Sequence, residues 1–141
     1  MAVAQDGIAV PLLFEYLDHK GNSDSELRKI LIDKFINLFG IERIACILGD
    51  REFVGEDWFL YLSAKRLPFV MRIKCNQLLR HSNGGQMRAD KMIVCGETKA
   101  TKLSKITVNI TRKKLEGDTL LLASSFDIKD PISEYAKRWD I

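Results

Sequence analysis

No stretch of eighteen or more apolar residues occurs, and no basic start is followed by an apolar run. The first absence argues against a membrane-spanning helix and the second against a secretory leader. Cysteine is scarce: Cys46, Cys75 and Cys95 are odd in number, widely spaced and contain no CxxC pair. They predict neither a disulfide framework nor a zinc site, and read as reduced, mostly buried thiols of a cytosolic protein. The only histidines, His19 and His81, stand in or beside turns with no acidic partner at ligand spacing. They are assigned neither catalysis nor metal. A glycine-rich phosphate loop, a nucleophile elbow and HExxH are all missing, which leaves out the enzymes those motifs mark. No internal repeat or low-complexity linker breaks the chain.

What is present suits one modest folded domain. A chain of 141 residues with 46% apolar and 29% charged residues can bury roughly two-thirds of its unfolded surface. The net charge of +3 conceals a sorting of charge. Residues 65–116 hold thirteen Lys and Arg against three acids, Asp90, Glu97 and Glu116; the remainder holds nine against sixteen. Sorting of this kind suggests one face for a polyanion and an acidic region able to hold cations, although a solvated lysine-rich hairpin gives the same pattern.

The N-terminal apolar runs flank Asp6-Gly7, a strong hairpin signal. Ser23 and Glu26 form a capping box for a helix whose Leu27, Ile30, Leu31, Phe35 and Leu38 share a face, with Gly40 as its stop. Ile44 to Leu48 reads as a strand buried on both faces, residues 56–65 as a helix using Trp58, Tyr61 and Leu62, and residues 68–75 as a second strand. Strand, helix, strand, helix, strand demands crossover connections and an α/β sheet. From Asn76 the pattern turns to short β runs at 92–94, 106–111 and 120–126, with 116–118 as a turn. Asp130-Pro131 opens a last helix through Glu134, Tyr135, Arg138 and Trp139.

One carboxylate stands out. Gly49-Asp50-Arg51-Glu52-Phe53 follows the buried strand, and ligands sit at the carboxyl ends of strands in open α/β sheets. Asp50 there is a candidate metal ligand, or a loop aspartate with a capping role. Arg51 and Glu52 read as a local ion pair or as a support for Asp50, and Phe53 and Trp58 as core aromatics.

The runs KGNSDSELR at 20–28, GDREFVGEDWFLYL at 49–62, FVMRIKCN at 69–76 and YAKRWDI at 135–141 together resemble the bacterial DDE transposases of the insertion-sequence-four family. The hairpin DGIAVPLLFEYLD at 6–18 is similar as well, and only 77–130 matches loosely. The resemblance implies an α/β RNase H-like mixed sheet with flanking helices, interrupted by a β-rich insertion. Residues 1–76 would form part of the core, 77–130 the basic insertion, and 131–141 the start of the last catalytic helix. It also implies that Asp50 is the second catalytic aspartate, a ligand of Mg²⁺ or Mn²⁺, and that Tyr135 and Arg138 occupy the first two positions of a Tyr-x2-Arg-x3-Glu-x6-Lys signature beside the DNA backbone. Arg72 and Lys74 lead into the basic insertion and are further candidates for phosphate contact.

The same resemblance places the partner glutamate just after Ile141 and the first aspartate before Met1, so the chain is expected to be interrupted at both ends. Two divalent ions about 3.5 to 4 Å apart need bridging anionic ligands, and Glu52, Glu56 and Asp57 belong to a loop and a helix start. This chain alone is therefore expected to be inactive and to hold no ion stably. The implied partners are transposon-end DNA and a second copy of the chain, with no membrane and no small-molecule substrate; the sheet edge left open by the missing first strand is expected to lead to a dimer by strand exchange, a rearranged sheet or poor stability. The expected location is the bacterial cytoplasm, on the nucleoid. Two alternatives stand: a non-catalytic remnant that binds DNA or dimerises with, and inhibits, an intact transposase, and an unrelated basic nucleic-acid-binding α/β domain.

Overall fold

The computed structural model describes residues 1–5, 8–14 and 24–138. It is a mixed α/β structure with few helices and a mostly antiparallel sheet. Strands β1 (Ala2–Gln5) and β2 (Ile8–Pro11) pair antiparallel as a separate two-stranded sheet. The Asp6-Gly7 turn lies outside the described residues, as do Ser23 and His19.

Helix α1 (Ser25–Phe39) is capped by Asp24, whose side chain accepts from the Leu27 N–H at 2.9 Å, one residue beyond the expected cap. It ends at Gly40, whose φ of 90° is costly for any side-chain-bearing residue. Its buried stripe is Ile32 and Phe35 with Ile36 half-buried, whereas Ile30 and Leu38 are exposed. Polar contacts to the next helix explain that rotation. Ser25 and Lys29 both reach Asp57 (2.8 and 2.6 Å), and the Tyr61 hydroxyl donates to Asp33 at 2.7 Å. Burial, then the Asp33 carboxylate, drives the Tyr61 phenol above its ordinary range.

Strand β3 (Ile47–Gly49), helix α2 (Glu56–Ala64) and strand β4 (Phe69–Arg72) make a parallel crossover, with Ile47 opposite Phe69 and Gly49 opposite Met71. The strand expected at 44–48 is thus shifted and is not buried on both faces: β3 is the sheet edge, and Ile47 and Leu48 are only half-buried. The apolar run buried on both faces is in β4, where Phe69, Val70 and Met71 are at most 1% exposed. Each such side chain contributes about 1.5–3 kcal/mol by leaving water. Trp58, Phe59 and Leu62 bury on α2, and Phe59 stacks on Phe69 with centroids 5.1 Å apart.

Five antiparallel strands complete the sheet in the order β3-β4-β9-β8-β7-β5-β6. They are β5 (Leu78–Arg80), β6 (Gln86–Arg88), β7 (Thr98–Leu103), β8 (Ile106–Leu115) and β9 (Asp118–Ser124). The run 92–94 is not a strand. Ala89–Met92 form a short helix, α3, that turns Ala89, Met92 and Ile93 into the core. Arg112 Nη1 donates to the Asp90 and Ile93 carbonyls at 2.6 and 2.9 Å and so closes the end of that helix. Helix α4 (Pro131–Ala136) starts at Asp130, whose carboxylate accepts from the Ser133 N–H at 3.1 Å. It ends before Arg138, in a turn at 137–138, and Trp139 lies outside the described residues.

The sheet separates two apolar clusters. Alternation along each strand sends Phe69, Met71, Leu121, Val108 and Ile110 to the side covered by α2 and α3. Val70, Leu120 and Leu122 face the other side, where α4 supplies Tyr135. Helix α4 packs mainly against β4 and β9, with Cys46 and Leu48 of the β3 edge also in its cluster. The same side of β5–β8 carries no helix among the described residues. No helix among them is long and apolar enough to cross a membrane.

Candidate functional site

Asp50 follows β3 directly, at the carboxyl end of the parallel pair, and caps a short 3-10 turn, Arg51–Phe53. One carboxylate oxygen accepts from the Arg51 N–H at 2.8 Å; the other is 3.6 Å from the Arg138 guanidinium. Both side chains are about one-third exposed, 34% and 30%. The position before Asp50 is set by close packing. Gly49 is buried, and a methyl there would run into Met71 Sδ and stand 3.0 Å from Phe53 Cβ. The turn after Asp50 is clamped from α1: Arg28 donates to the Glu52 carbonyl at 3.0 Å and lies 4.5 Å over the Phe53 ring. Sequence alone does not single out Arg28, because its partner is a backbone carbonyl that carries no residue signature.

Arg138 joins Asp50 to α4. Its guanidinium also donates to the Tyr135 hydroxyl at 3.2 Å, while the Tyr135 ring is 2% exposed against Val70, Leu120 and Leu122. Tyr135 is thus an anchor through its ring and an acceptor through its oxygen. Asp50 and, 85 or more residues later, Tyr135 and Arg138 meet at one rim.

A second charge group adjoins it. Arg72 on β4 reaches Asp118 at 2.6 Å, and Arg51 stands 3.8 Å from the same carboxylate. The expected Arg51–Glu52 ion pair is therefore replaced by a pair across the sheet, because the 3-10 turn aims Arg51 at the β8–β9 hairpin. Asp118 is held below the usual carboxylate range by the Thr119 N–H, then by Arg72. The sequence marks it as a turn residue only; its place at this rim depends on the β4–β9 register, which pairs Arg72 with Leu122. Lys74 is exposed beyond β4 and has no ion partner among the described residues.

The nearby acids do not converge on Asp50. Asp57 binds Lys29 and Ser25, and Glu56 binds Lys105 at 3.0 Å. Among the described residues no three His, Cys, Asp or Glu side chains are placed to hold a metal ion. With Asp50 facing Arg138 and Asp118 paired with Arg72 and Arg51, the described rim does not by itself fit a two-ion centre. The thiols are free, and Cys95 is exposed where burial was expected, since it follows α3 into an outer loop. Cys46 is partly buried beneath α4, and desolvation, followed by the Glu134 and Asp127 charges, pushes its thiol up to about 12.

No protein-family model and no curated protein matches the chain.

Proposed function

We propose that the chain is part of a DDE transposase with an RNase H-like core, in which Asp50 is one of the carboxylates required for cutting and joining transposon-end DNA. The observation that supports this reading best is the meeting of Asp50 with Arg138 and Tyr135 at the carboxyl end of β3, across 85 or more residues of chain. Those are three of the positions that the sequence resemblance singles out. In this reading 77–130 is the β-rich basic insertion, and the remaining carboxylates and the divalent ions belong to the larger enzyme. The chain's own contribution is then to hold duplex DNA and to present Asp50. Arg138 neutralises Asp50 here and would have to release it when an ion or a phosphate arrives.

The test is to express the chain alone and the coding frame extended through both flanks, and to assay each on linear duplex with Mg²⁺ or Mn²⁺. The chain alone should bind without nicking, and the extended protein should nick. Flanks that encode no Asp upstream and no Glu downstream would contradict the enzyme reading.

A second reading is a non-catalytic DNA-binding or dimerising module that inhibits an intact transposase. Self-association draws support from β3, an edge strand with open backbone groups. The separate hairpin adds exposed Ile8 and Val10, at 64 and 51%, and a lone hairpin is marginally stable. Light scattering distinguishes the cases: a dimer supports this pairing, and a cooperative monomer across micromolar concentrations contradicts it.

A further inference from the structure

The thirteen cations of residues 65–116 are not equivalent once folded. Five are engaged inside the protein: Lys65 with Asp33, Arg72 with Asp118, Arg88 with Asp90, Lys105 with Glu56, and Arg112 with two carbonyls. Among those left without an ion pair in the described residues, three share one face. Register places Arg80 opposite Lys102, and Lys102 opposite Thr107 on β8. Lys113 lies six residues farther along β8 on the same side, opposite Leu120. That is the side of the sheet on which α4 packs mainly against β4 and β9.

We infer that this bare face of β5, β7 and β8 is a binding surface for the phosphate backbone of duplex DNA, with Arg80, Lys102 and Lys113 supplying its charge. Six residues of extended strand span about 20 Å, comparable to the axial rise of about six nucleotides on one strand. Between the charges stand Thr107 and the half-buried Asn109, neutral side chains of the kinds that contact phosphate and sugar, while Thr111, next on the same side, is 5% exposed and bonded to Thr98. The outward residues of β5–β8 on this side include no acid. Asp130, at the start of α4, is the carboxylate near enough to feel Lys113. A hollow of about 390 Å³ opens beside β7 with Arg80, His81, Ser82, Lys102 and Thr107 in its lining, again without a carboxylate; Met92, Lys99 and Thr101 border it from the α3 side of the strand.

The partner follows from what the face lacks. Residues 77–117 contain no Phe, Tyr or Trp, so single strands would find no stacking platform. A face of spaced cations and hydroxyls, without stacking rings, suits the regular phosphates of a duplex read without regard to sequence. This inference rests on the reading above only for choosing DNA among polyanions.

The test compares the full chain with the triple variant Arg80→Gln, Lys102→Gln, Lys113→Gln. A control variant, Lys91→Gln with Lys114→Gln, removes exposed cations elsewhere. Anisotropy of a labelled duplex is followed from 50 to 300 mM NaCl, and far-UV circular dichroism checks folding. Every phosphate that is no longer neutralised flattens the slope of log affinity against log salt by about 0.9, so the slope of the triple variant should be shallower by about 2.7. Its affinity should fall at least tenfold at low salt, and the control should shift less than threefold. A slope unchanged in the triple variant, with binding abolished instead in Arg138→Gln, overturns this surface and leaves DNA binding at the rim standing. Absence of duplex binding by the unmodified chain overturns both. Binding to phosphatidylserine vesicles that duplex does not compete away also overturns it.

Discussion

The rim around Asp50 and the open face of β5–β8 use charge in opposite ways. At the rim the central charges meet partners of opposite sign: Asp50 faces Arg138, and Asp118 faces Arg72 and Arg51. On the open face Arg80, Lys102 and Lys113 stand without ion pairs among the described residues, and the hollow beside β7 has no acid in its lining. Paired charges orient one another and project little field; unpaired cations on one surface raise the local concentration of an anion. The difference teaches that the basic balance of the segment does not locate a binding surface. The register does, because it decides which cations are neutralised.

The largest expected effect comes from the strand the two regions share. Leu121 and Leu122 on β9 are both 0% exposed and face opposite clusters. Leu121→Ala should cost about 2–5 kcal/mol and move a single urea transition. Two separate transitions would show that rim and open face fold independently. A smaller, local effect is expected at Gly49, where an added methyl meets Met71 and Phe53. Gly49→Ala should cost about 1–3 kcal/mol by overpacking and displace Asp50, yet leave the salt slope of DNA affinity unchanged. A changed slope would join the two regions that the comparison separates.

Smaller still is the acid limb. Asp118 is depressed in the folded state from an unfolded value near 3.9. Its contribution is therefore present above about pH 4 and lost as pH falls through the folded value. Asp118→Asn should flatten the fall of the urea midpoint below about pH 4, and an unaltered acid limb would remove Asp118 from the rim. The smallest effect concerns the thiols. Cys46 is raised to about 12 whereas Cys95 is exposed, so iodoacetamide at about pH 8 should modify Cys95 well before Cys46. Because the Cys46 value is raised, its contribution to stability is complete below the unfolded value of about 8.5 and is lost as pH climbs toward about 12. Equal labelling rates would place Cys46 outside the cluster beneath α4.

Local signals are legible where chemistry is local. Gly40 ends α1, Asp130-Pro131 opens α4, and the turn at 116–118 closes the β8–β9 hairpin, each through backbone rules that need only neighbours. Signals that depend on partners are not. The stripe of α1 is ambiguous in sequence because Leu27, Ile30 and Leu38 compete with Ile32 and Ile36, and contacts from Asp57 and Tyr61 settle the choice. Residues 92–94 are β-prone, but Met92 and Ile93 fill the core from a helical turn held by Arg112. Strands β5, β6 and β7 carry alternating polar residues on a half-bare sheet and so leave no apolar run to find. At the site, Asp50 is legible from the sequence, and the roles of Arg28 and Asp118 are not. Both act across the fold, on a carbonyl and on paired arginines.

The most direct measurement is duplex nicking by the frame extended through both flanks, comparing Asp50→Asn with Asp118→Asn in Mg²⁺. The account predicts that Asp50→Asn lowers nicking about a hundredfold or more, as loss of a reacting-centre carboxylate should, while duplex affinity stays within threefold and Asp118→Asn still cuts. Nicking by Asp50→Asn at the unmodified rate would contradict it.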